Sequence, residues 1–548
     1  METLTATRPI TLIRLPSVTN PVGFVGSQAA PSLALAYLGA VLREAGHSVV
    51  AIDCQGEGIH TYRPLEGTPL FAHGLLPAEI LARIPKDSLL IGISCMFHNE
   101  WIYHQKLIRM IAAEFPGIPL IVGGEHATAA GEYILRTCPW VTACALGEGE
   151  ETIIDLANAL LDGRPLSSVG GLLIRSDEGE GATRTDARSR IRHLDELPWP
   201  AWDLLPIQKY FEARVGHGVT NSRNMPMLAS RGCPYRCTFC SNPKMWGKLW
   251  TPRSAKDVVA EMKYYKEHYQ VETFSFYDLT AVVKKSWIME FTNLLIEENL
   301  QVRWLLPSGT RSEALDQEVL HNLKKSGCFL IIYAPENGSP EMLKRIQKQV
   351  DLEKMLTSVR AARREGLISR ANIIHGMPGE TWRDILITWG YIVRLAWAGM
   401  NDVSVFPFSP YPGSKLHEQL REKGAIPPEG EEYDMVMALN LSNNYAQVRS
   451  WNDDLSAREL RMAIIISSAI FYSTQFIFRP WRVAVSSWRL ATGHPVTLME
   501  RVVVNGLARF GGMIRGVLVD RKATRPSTVV VPAGDAGAPD PIRLPQQS

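Results

Sequence analysis

Three cysteines lie within eight residues of this chain, in segment 231–240 with the sequence RGCPYRCTFC. Thiolates are the usual protein ligands of iron–sulfur clusters, and three on one tight loop can hold three corners of a cubane cluster. Because only three cysteines are local, the spacing C-x3-C-x2-C leaves one iron open to a substrate or cofactor, as at a catalytic zinc. The segment therefore predicts that Cys233, Cys237 and Cys240 hold a [4Fe–4S] cluster.

A zinc site is the alternative for these cysteines. Structural zinc sites prefer paired C-x2-C elements with further ligands downstream, but the sequence has no second pair and Cys328 is a lone candidate. The remaining cysteines stand far apart, at Cys54, Cys95, Cys138 and Cys144. Such sparse use in a long chain is typical of a reducing compartment and not of a disulfide scaffold.

The elements that position this loop begin with an N-terminal unit, residues 1–165. Short apolar runs alternate there with helical patterns, the runs at 10–15, 48–52, 89–94, 119–122 and 141–146, the helices at 33–45, 100–114 and 127–137. Strand–helix alternation predicts an α/β fold, here a Rossmann-like doubly wound parallel sheet. Ligands of such sheets bind at the carboxyl ends of the strands.

A second alternating unit, residues 223–425, contains the cysteine loop. Its predicted strands lie at 225–230, 273–277, 304–307, 329–334, 370–374 and 402–407, and its predicted helices at 255–268, 285–298, 316–326, 340–346, 352–366 and 381–398. About six β/α units predict a partial (β/α)6 barrel of the TIM type, whose active site lies where the strands end.

The other segments are predicted from composition. Residues 166–222 are polar and end in a Leu-Pro-Trp-Pro turn, so we expect an extended connector. Residues 426–523 are predicted to be mostly helical. The tail, residues 524–548, is rich in Pro, Ala, Gly and Ser and is predicted to be disordered.

Charge and length limit the classes of partner. The chain has 548 residues and a net charge of +2, so no whole-chain field favours nucleic acid, and no basic, aromatic-interleaved patch occurs in residues 1–425. Residues 1–8 lack a charged start followed by an apolar run, which predicts no signal peptide and a cytoplasmic protein.

One apolar stretch, residues 462–478, contains no charged side chain. In a helix, Arg461, Ser468, Gln475 and Arg482 would form a narrow polar stripe on an apolar cylinder. The following residues are rich in arginine and tryptophan, which suits a membrane interface with anionic lipid. The alternatives are a buried core helix with a solvated basic face, or a true membrane span. We expect possible contact with the inner face of the membrane.

The cysteine loop closely resembles the signature of radical S-adenosylmethionine (SAM) enzymes. In that family the open iron chelates the amino and carboxylate groups of SAM, and electron transfer from the cluster yields a 5′-deoxyadenosyl radical. The resemblance implies that Phe239, the aromatic residue before the third cysteine, lies near adenine.

Further along the barrel, the resemblance implies SAM contacts for Asp278, Arg311, Glu336 and Asn337. Asp278 follows a strand where the family contacts the SAM amino group, and residues 336–339 (ENGS) resemble an ESGS-like segment with Asn in place of Ser. For Asp278 and Glu336 the alternative is a strand-end carboxylate that caps the next helix.

The N-terminal unit is similar to the cobalamin-binding domain that precedes some radical SAM barrels. The resemblance covers about residues 10–425. The sequence lacks the D-x-H-x-x-G element that supplies a histidine to cobalt in other B12 proteins. Glycine turns let backbone approach a large flat ligand, and helix N-termini can meet its phosphate. The alternative is a domain that binds nothing. The implied cobalamin contacts are Ser94, Gly123, Gly124, Glu125, Gly147, Glu148 and Gly149.

The resemblance implies a class B radical SAM methyltransferase or a relative of the anaerobic Mg-protoporphyrin cyclase. We expect methylation of an unactivated carbon in a hydrophobic or natural-product-like small molecule, with a flavodoxin or ferredoxin as electron donor. The alternatives are radical cyclisation or rearrangement without methyl transfer and, from another class, a non-catalytic cobalamin or metal sensor.

Overall fold

The computed structural model describes residues 8–19, 29–176, 181–216, 222–280, 282–439, 448–492, 497, 499–500 and 503–504. The tail predicted to be disordered, residues 524–548, lies outside the described residues, as does the end of the predicted helical region.

The N-terminal unit extends to residue 184, and its described part contains ten strands and six α-helices. The strands are β1 Ile10–Arg14, β2 Ser17–Thr19, β3 Val49–Asp53, β4 Tyr62–Pro64, β5 Phe71–His73, β6 Leu90–Ser94, β7 Leu120–Gly123, β8 Ala143–Ala145, β9 Leu172–Arg175 and β10 Ala182–Arg184. The helices are α1 Leu33–Glu44, α2 Cys54–Glu57, α3 Pro77–Arg83, α4 Trp101–Glu114, α5 Glu125–Thr137 and α6 Glu150–Leu161.

Seven of these strands form one sheet in the order β10-β9-β8-β7-β6-β1-β3. The five strands from β8 to β3 are parallel, as predicted, and their apolar runs are buried because helices cover both faces. Strands β9 and β10 extend the edge in the antiparallel sense, although both lie in the segment predicted to be a connector. The remaining strands form a small antiparallel sheet, β2-β5-β4.

After helix α7 (Ile207–Ala213), the second unit is a six-stranded parallel sheet in the order β11-β14-β15-β16-β17-β18. Its strands, with a two-stranded ribbon β12-β13, are β11 Asn224–Met227, β12 Ser230–Arg231, β13 Thr251–Pro252, β14 Thr273–Phe276, β15 Arg303–Thr310, β16 Cys328–Glu336, β17 Ile368–His375 and β18 Asp402–Pro407. The helices are α8 Asn242–Met245, α9 Ala255–Tyr269, α10 Lys285–Glu297, α11 Gln317–Lys325, α12 Pro340–Arg345, α13 Leu352–Arg364, α14 Trp382–Ala398 and α15 Lys415–Glu422.

Local sequence explains where most of these helices begin. A Ser, Asp or Thr side chain accepts a hydrogen bond from the first turn of six of them, which satisfies a backbone donor that has no partner inside the helix. The capping residues are Ser254, Asp316, Ser339, Asp351, Thr381 and Ser414.

The C-terminal region is helical in its described part, with α16 Glu431–Leu439, α17 Ala457–Phe478 and α18 Trp481–Ala491. Helix α17 packs against α14 and β18 of the barrel. By length and apolarity α17 is the one described helix that could cross a membrane, yet a third of its most apolar window is buried inside the protein.

The two α/β units share a hydrophobic core. Trp202, which follows the predicted Leu-Pro-Trp-Pro turn, is fully buried, and its ring centroid lies 6.5 Å from that of Tyr265 on α9. The backbone N–H of Ala201 donates to the carbonyl oxygen of Ala36 on α1, 3.0 Å away. The units are therefore packed together, with the carboxyl ends of both sheets available to one site.

Candidate functional site: the cysteine loop between the two sheets

The cysteine loop is held at its base by the β12–β13 ribbon. Strand β12 ends at Arg231, and Gly232 follows with φ +82°, where a Cβ would overlap the Leu249 carbonyl oxygen. Glycine is needed there because only it adopts this conformation without a clash. The loop is also tied at Thr238, whose N–H donates to Ile346 and whose carbonyl accepts from Leu416.

All three loop cysteines are half-buried free thiols. Burial raises the pKa of each thiol, that of Cys240 to about 12, while the nearby cations of Lys348 and Arg311 act in the opposite direction on Cys233 and Cys237. Cations beside thiolates stabilise the deprotonated form that binds iron. The donor set therefore fits an iron–sulfur cluster.

The zinc alternative would need a fourth protein ligand near the loop. Cys328, the lone candidate for a fourth ligand, is buried at the start of β16. The loop lies beyond the other end of the sheet, and a nine-residue strand is more than about 25 Å long.

Two of the predicted SAM residues lie beside the loop. Glu336 ends β16 with φ +65°, an uncommon backbone conformation for this residue type, and forms a buried ion pair of 2.9 Å with Lys348. The Arg311 guanidinium lies 3.5 Å from the centroid of the Tyr235 ring. Its Nη1 is buried without a partner among the described residues, so it retains a free donor.

Asp278 and Asn337 are engaged within the protein. The fully buried Asp278 carboxylate accepts from the Ala229 N–H at 3.1 Å and the Ser230 hydroxyl at 2.6 Å, and burial raises its pKa to about 6. It therefore anchors the chain that leads into the cysteine loop, and does not cap the next helix. The Asn337 amide donates to Glu380 at 2.7 Å and accepts from Thr388 at 2.9 Å. Direct SAM contacts of both residues stay predictions.

The aromatic residue that was predicted to lie near adenine packs against the protein core. Phe239 is half-buried against the core that the N-terminal sheet shares with α12, so its predicted place beside adenine also stays a prediction. The turn after β17, residues 374–381, is organised by Glu380, which pairs with His375 at 3.1 Å and accepts the Gly376 N–H at 2.5 Å.

The predicted cobalamin residues come together at one edge of the N-terminal sheet. Ser94 and Gly123 are direct partners in the β6–β7 register, at the carboxyl ends of their strands. Gly124 follows with φ +110°, where a Cβ would lie 2.6 Å from the Cys95 carbonyl oxygen. Glu125 begins α5 and accepts a hydrogen bond from Ser241, which directly follows the last loop cysteine.

The second glycine turn contacts the other side of the cysteine loop. Gly147 has φ +74° and open space around it, and Gly149 precedes α6. Between them, Glu148 pairs with Arg231 at 3.0 Å and with Arg190 at 2.7 Å. Glu150 pairs with Arg231 at 2.6 Å, and these Arg231 pairs are buried.

Side chains of the two glycine turns therefore contact the cysteine loop at both of its ends. We name the Arg231–Glu148–Glu150 ion pairs and the Ser241–Glu125 hydrogen bond the interdomain clasp. Sequence reasoning missed Arg190, Arg231 and Ser241, because their partners lie 42 to 116 residues away along the chain. It also missed Lys348, whose partner Glu336 lies 12 residues away in a different element.

Two buried histidines, His98 and His126, lie near this edge and contact each other through their Nδ1 atoms at 3.1 Å. Burial lowers the pKa of both rings, that of His126 to about 3. The Nε2 atom of each ring has no hydrogen-bond partner among the described residues.

The comparisons with known proteins match this geometry. The profile of the Radical SAM superfamily matches residues 227–388, and that of the B12 binding domain matches residues 21–157. An uncharacterized methyltransferase of Pyrococcus horikoshii is 29% identical over 412 residues, covering 74% of this chain and 82% of the relative. The cytidylyl-2-hydroxyethylphosphonate methyltransferase of Streptomyces wedmorensis is 27% identical over 462 residues, which cover 78% of this chain and 83% of the relative.

Two solved structures share the fold. TsrM from Kitasatospora setae, determined with cobalamin and a [4Fe–4S] cluster bound, has a TM-score of 0.58 at 19% identity, covering 77% of this chain and 76% of that chain. OxsB, determined with aqua-cobalamin and SAM bound, also has a TM-score of 0.58. Its sequence identity is 17%, and the match covers 81% of this chain and 58% of OxsB.

A three-cysteine loop facing a Rossmann-like sheet defines an iron–sulfur enzyme with a second cofactor domain. With both domain profiles matched in this order, the chain belongs to the radical SAM enzymes that carry a B12 binding domain. Its cofactors are a [4Fe–4S] cluster, SAM and cobalamin. The predictions of family and cofactors are thereby confirmed.

Proposed function

We propose that this enzyme methylates an unactivated carbon of a hydrophobic or natural-product-like small molecule. The observation that carries the proposal is the interdomain clasp. Both turns predicted to bind cobalamin contact the loop predicted to bind the cluster, through Glu125 and Ser241 on one side and Glu148 and Arg231 on the other. A methyl donor and a radical source must meet at one substrate, and this arrangement would place them in one site.

The relatives support the choice of reaction and of substrate class. Both relatives described above are methyltransferases by name. The hopanoid C-3 methylase of Methylococcus capsulatus, whose name denotes a hydrophobic substrate, is 25% identical over 322 residues and is covered to 58%.

The bound cofactors would supply a 5′-deoxyadenosyl radical and a transferable methyl group. The chain's own residues would position them. We assign the three loop cysteines to the cluster and the free Nη1 of Arg311 to SAM. The buried Lys348 would bring a positive charge to the thiolates, held in place by its ion pair with Glu336.

Enclosure between the two units would exclude water and oxygen from the radical. We further propose that the six-stranded sheet curves into a partial barrel whose strand ends face the N-terminal sheet. Ser94 and Gly123 would then approach cobalamin from the opposite wall.

The cluster also needs one electron from outside. A cavity of about 510 Å³ borders the loop and is lined by Tyr235, Arg236, Lys344 and Lys348 among others. We propose that a flavodoxin or ferredoxin reduces the cluster from this side, in the cytoplasm.

The test is turnover with SAM that carries a labelled methyl group. The enzyme is reconstituted without oxygen with iron, sulfide and cobalamin, then incubated with hydrophobic extracts of the host. We expect label in a product detected by mass spectrometry, together with 5′-deoxyadenosine. Release of 5′-deoxyadenosine with an altered but unlabelled product would contradict methylation.

Radical cyclisation is the second candidate, and a specific observation favours it. The anaerobic magnesium-protoporphyrin IX monomethyl ester cyclase of Rubrivivax gelatinosus is 26% identical over 352 residues, covering 63% of this chain and 61% of the relative. The same labelling experiment separates the two reactions, because in cyclisation the methyl label leaves with the methionine released from cleaved SAM and none enters the product.

A further inference from the structure

The C-terminal helices carry an unusual share of the exposed apolar surface. Of the 24 large apolar or aromatic side chains that are exposed in the described part of the chain, 13 lie on α14, α17 and α18. We name this surface the apolar face. Its members are Leu386, Ile387, Val393, Trp397, Met462, Ile465, Ile466, Ile477, Phe478, Trp481, Val483, Val485 and Trp488.

The apolar face is continuous from α14 to α17. Helices α14 and α17 run parallel and in register, because Trp389 donates to Ser467 at 2.9 Å and Gln475 reaches the carbonyl oxygen of Ala396 at 3.4 Å. At the ends of the two helices, the rings of Trp397 and Phe478 lie 4.5 Å apart. Monomeric proteins rarely expose apolar patches of this extent without a partner.

The inner side of α17 is fixed to the barrel by polar contacts. The Ser467 hydroxyl contacts His375 at 2.9 Å, and the Tyr472 hydroxyl donates to Asp402 at 2.5 Å. Removing α17 from the second unit would break these buried hydrogen bonds, which opposes its detachment. The helix therefore stays on the enzyme, and only its outer side is available to a partner.

Helix α18 lies wholly on the surface, since none of its residues is buried. Trp481 and Trp488 are exposed by 57% and 65% and stand two turns apart on one side of the helix. On another side, Arg482 donates to the carbonyl oxygens of Met400 and Asn401, which attaches the helix to the barrel. The tryptophans thus project from an anchored helix.

The charge around the apolar face is positive. Residues 457–492 contain five arginines and a single acid, Glu459. Arg458 and Arg461 are exposed, whereas Arg479 and Arg482 donate to backbone carbonyl oxygens and Arg489 lies 3.6 Å from Glu500. A second copy of the chain would bring like charges together, whereas an anionic lipid surface attracts arginine and accepts tryptophan at its headgroup level. We infer that the apolar face seats this enzyme on an anionic membrane, with α17 and α18 lying in the interface and not crossing it.

This inference does not depend on the reaction proposed above, so vesicle binding can succeed or fail on its own. The experiment sediments the anaerobic, full-length holoenzyme with phosphatidylcholine vesicles, with or without phosphatidylglycerol. We expect the enzyme to pellet with the anionic vesicles and to stay largely in solution with the neutral ones.

The variant Trp481→Ser/Trp488→Ser tests the face itself. Neither side chain is buried, so we expect unchanged cluster content and about tenfold weaker binding to anionic vesicles. The matched control is Leu161→Ser, which removes a side chain of equal exposure, 57%, from α6 on the N-terminal unit. It should bind like the parent enzyme.

Three outcomes would overturn the inference. The first is a parent enzyme that stays in solution with anionic vesicles, as it would if another segment of the chain covers the face. The second is a double tryptophan variant that binds like the parent. The third is a dimer in sedimentation equilibrium that the double variant dissociates, with no vesicle binding, which would assign the face to a second copy.

Discussion

The cysteine loop and the apolar face differ in how their side chains find partners. Around the loop, charged side chains of both units are buried and paired with each other, as Arg231 is with Glu148 and Glu150. On the apolar face, large apolar side chains such as Ile477 and Trp488 are exposed, and the polar groups point inward to the barrel.

The difference lies in where the partner is. A buried charge that loses its partner is costly, so the paired charges of the loop fix one geometry before any cofactor binds. Exposed apolar groups gain nothing from water, so the apolar face is completed by something outside the chain. The loop is therefore organised from within, whereas the C-terminal surface requires a partner.

The largest expected effect is loss of the cluster. Replacing Cys240 by Ala removes one of three thiolates, so the reconstituted protein should hold no stable four-iron centre and release no detectable 5′-deoxyadenosine. Iron and sulfide analysis with visible absorbance gives the readout. The control is Cys328→Ala, which removes a buried thiol at the far end of β16 and should retain about four irons per chain.

The next effect tests the clasp. Arg231→Met leaves the buried carboxylate of Glu150 without its ion-pair partner, although Glu148 keeps Arg190, so we expect a loss of about 3–5 kcal/mol in the free energy of unfolding. Urea unfolding followed by tryptophan fluorescence measures it.

The control for the clasp is Arg43→Met, since Arg43 pairs with Asp203 at 2.7 Å on the exposed surface. An exposed pair of this kind is worth about 1 kcal/mol or less. Equal losses in the two arginine variants would show that the clasp does not organise the loop.

A smaller effect depends on pH and concerns the contact of α16 with the N-terminal unit. The Asp434 carboxylate accepts from Gln105 at 2.8 Å and from Tyr133 at 2.9 Å, and burial raises its pKa to about 6. Because the fold favours the protonated form, its contribution to stability is complete below about pH 4 and is lost as the pH rises through 6.

The variant Asp434→Asn stays neutral and should escape this loss. Its free energy of unfolding should match that of the parent near pH 4 and exceed it by up to about 2 kcal/mol at pH 7.5. A difference between the two that is constant over this range would refute the raised pKa.

The smallest effect is at the start of α17. The Ser456 hydroxyl accepts from the Glu459 N–H and the Glu459 carboxylate accepts from Ser456, which forms a capping box. Ser456→Ala should cost about 1 kcal/mol in unfolding and leave cluster content unchanged. A loss of the cluster in this variant would show that the cysteine loop depends on α17, which would contradict the contrast between the two regions.

The sequence predicted the parts that depend on local pattern. The cysteine spacing, the apolar runs of the parallel strands and the helices that begin at Ser254 or Thr381 are all short-range signals. Strands β9 and β10 were missed because they are only four and three residues long. They also pair in the antiparallel sense with a sheet that was predicted to be parallel throughout.

The long-range contacts of the site were beyond the sequence. Arg231 meets Glu148 across 83 residues, and no periodicity records such a pairing. The polar stripe predicted on α17 is present in part: Gln475 and the neighbouring Ser467 are buried against the barrel, whereas Arg461 is exposed. The stripe therefore marks the side that faces the enzyme.

The most direct test of the account is the electron paramagnetic resonance spectrum of the reduced, reconstituted enzyme with and without SAM. A cluster with three cysteine ligands has one iron open to SAM, so the account predicts about four irons per chain and a signal that shifts when SAM is added. A four-iron signal that SAM leaves unchanged would mean that all four corners are already bound by the protein, which would contradict it.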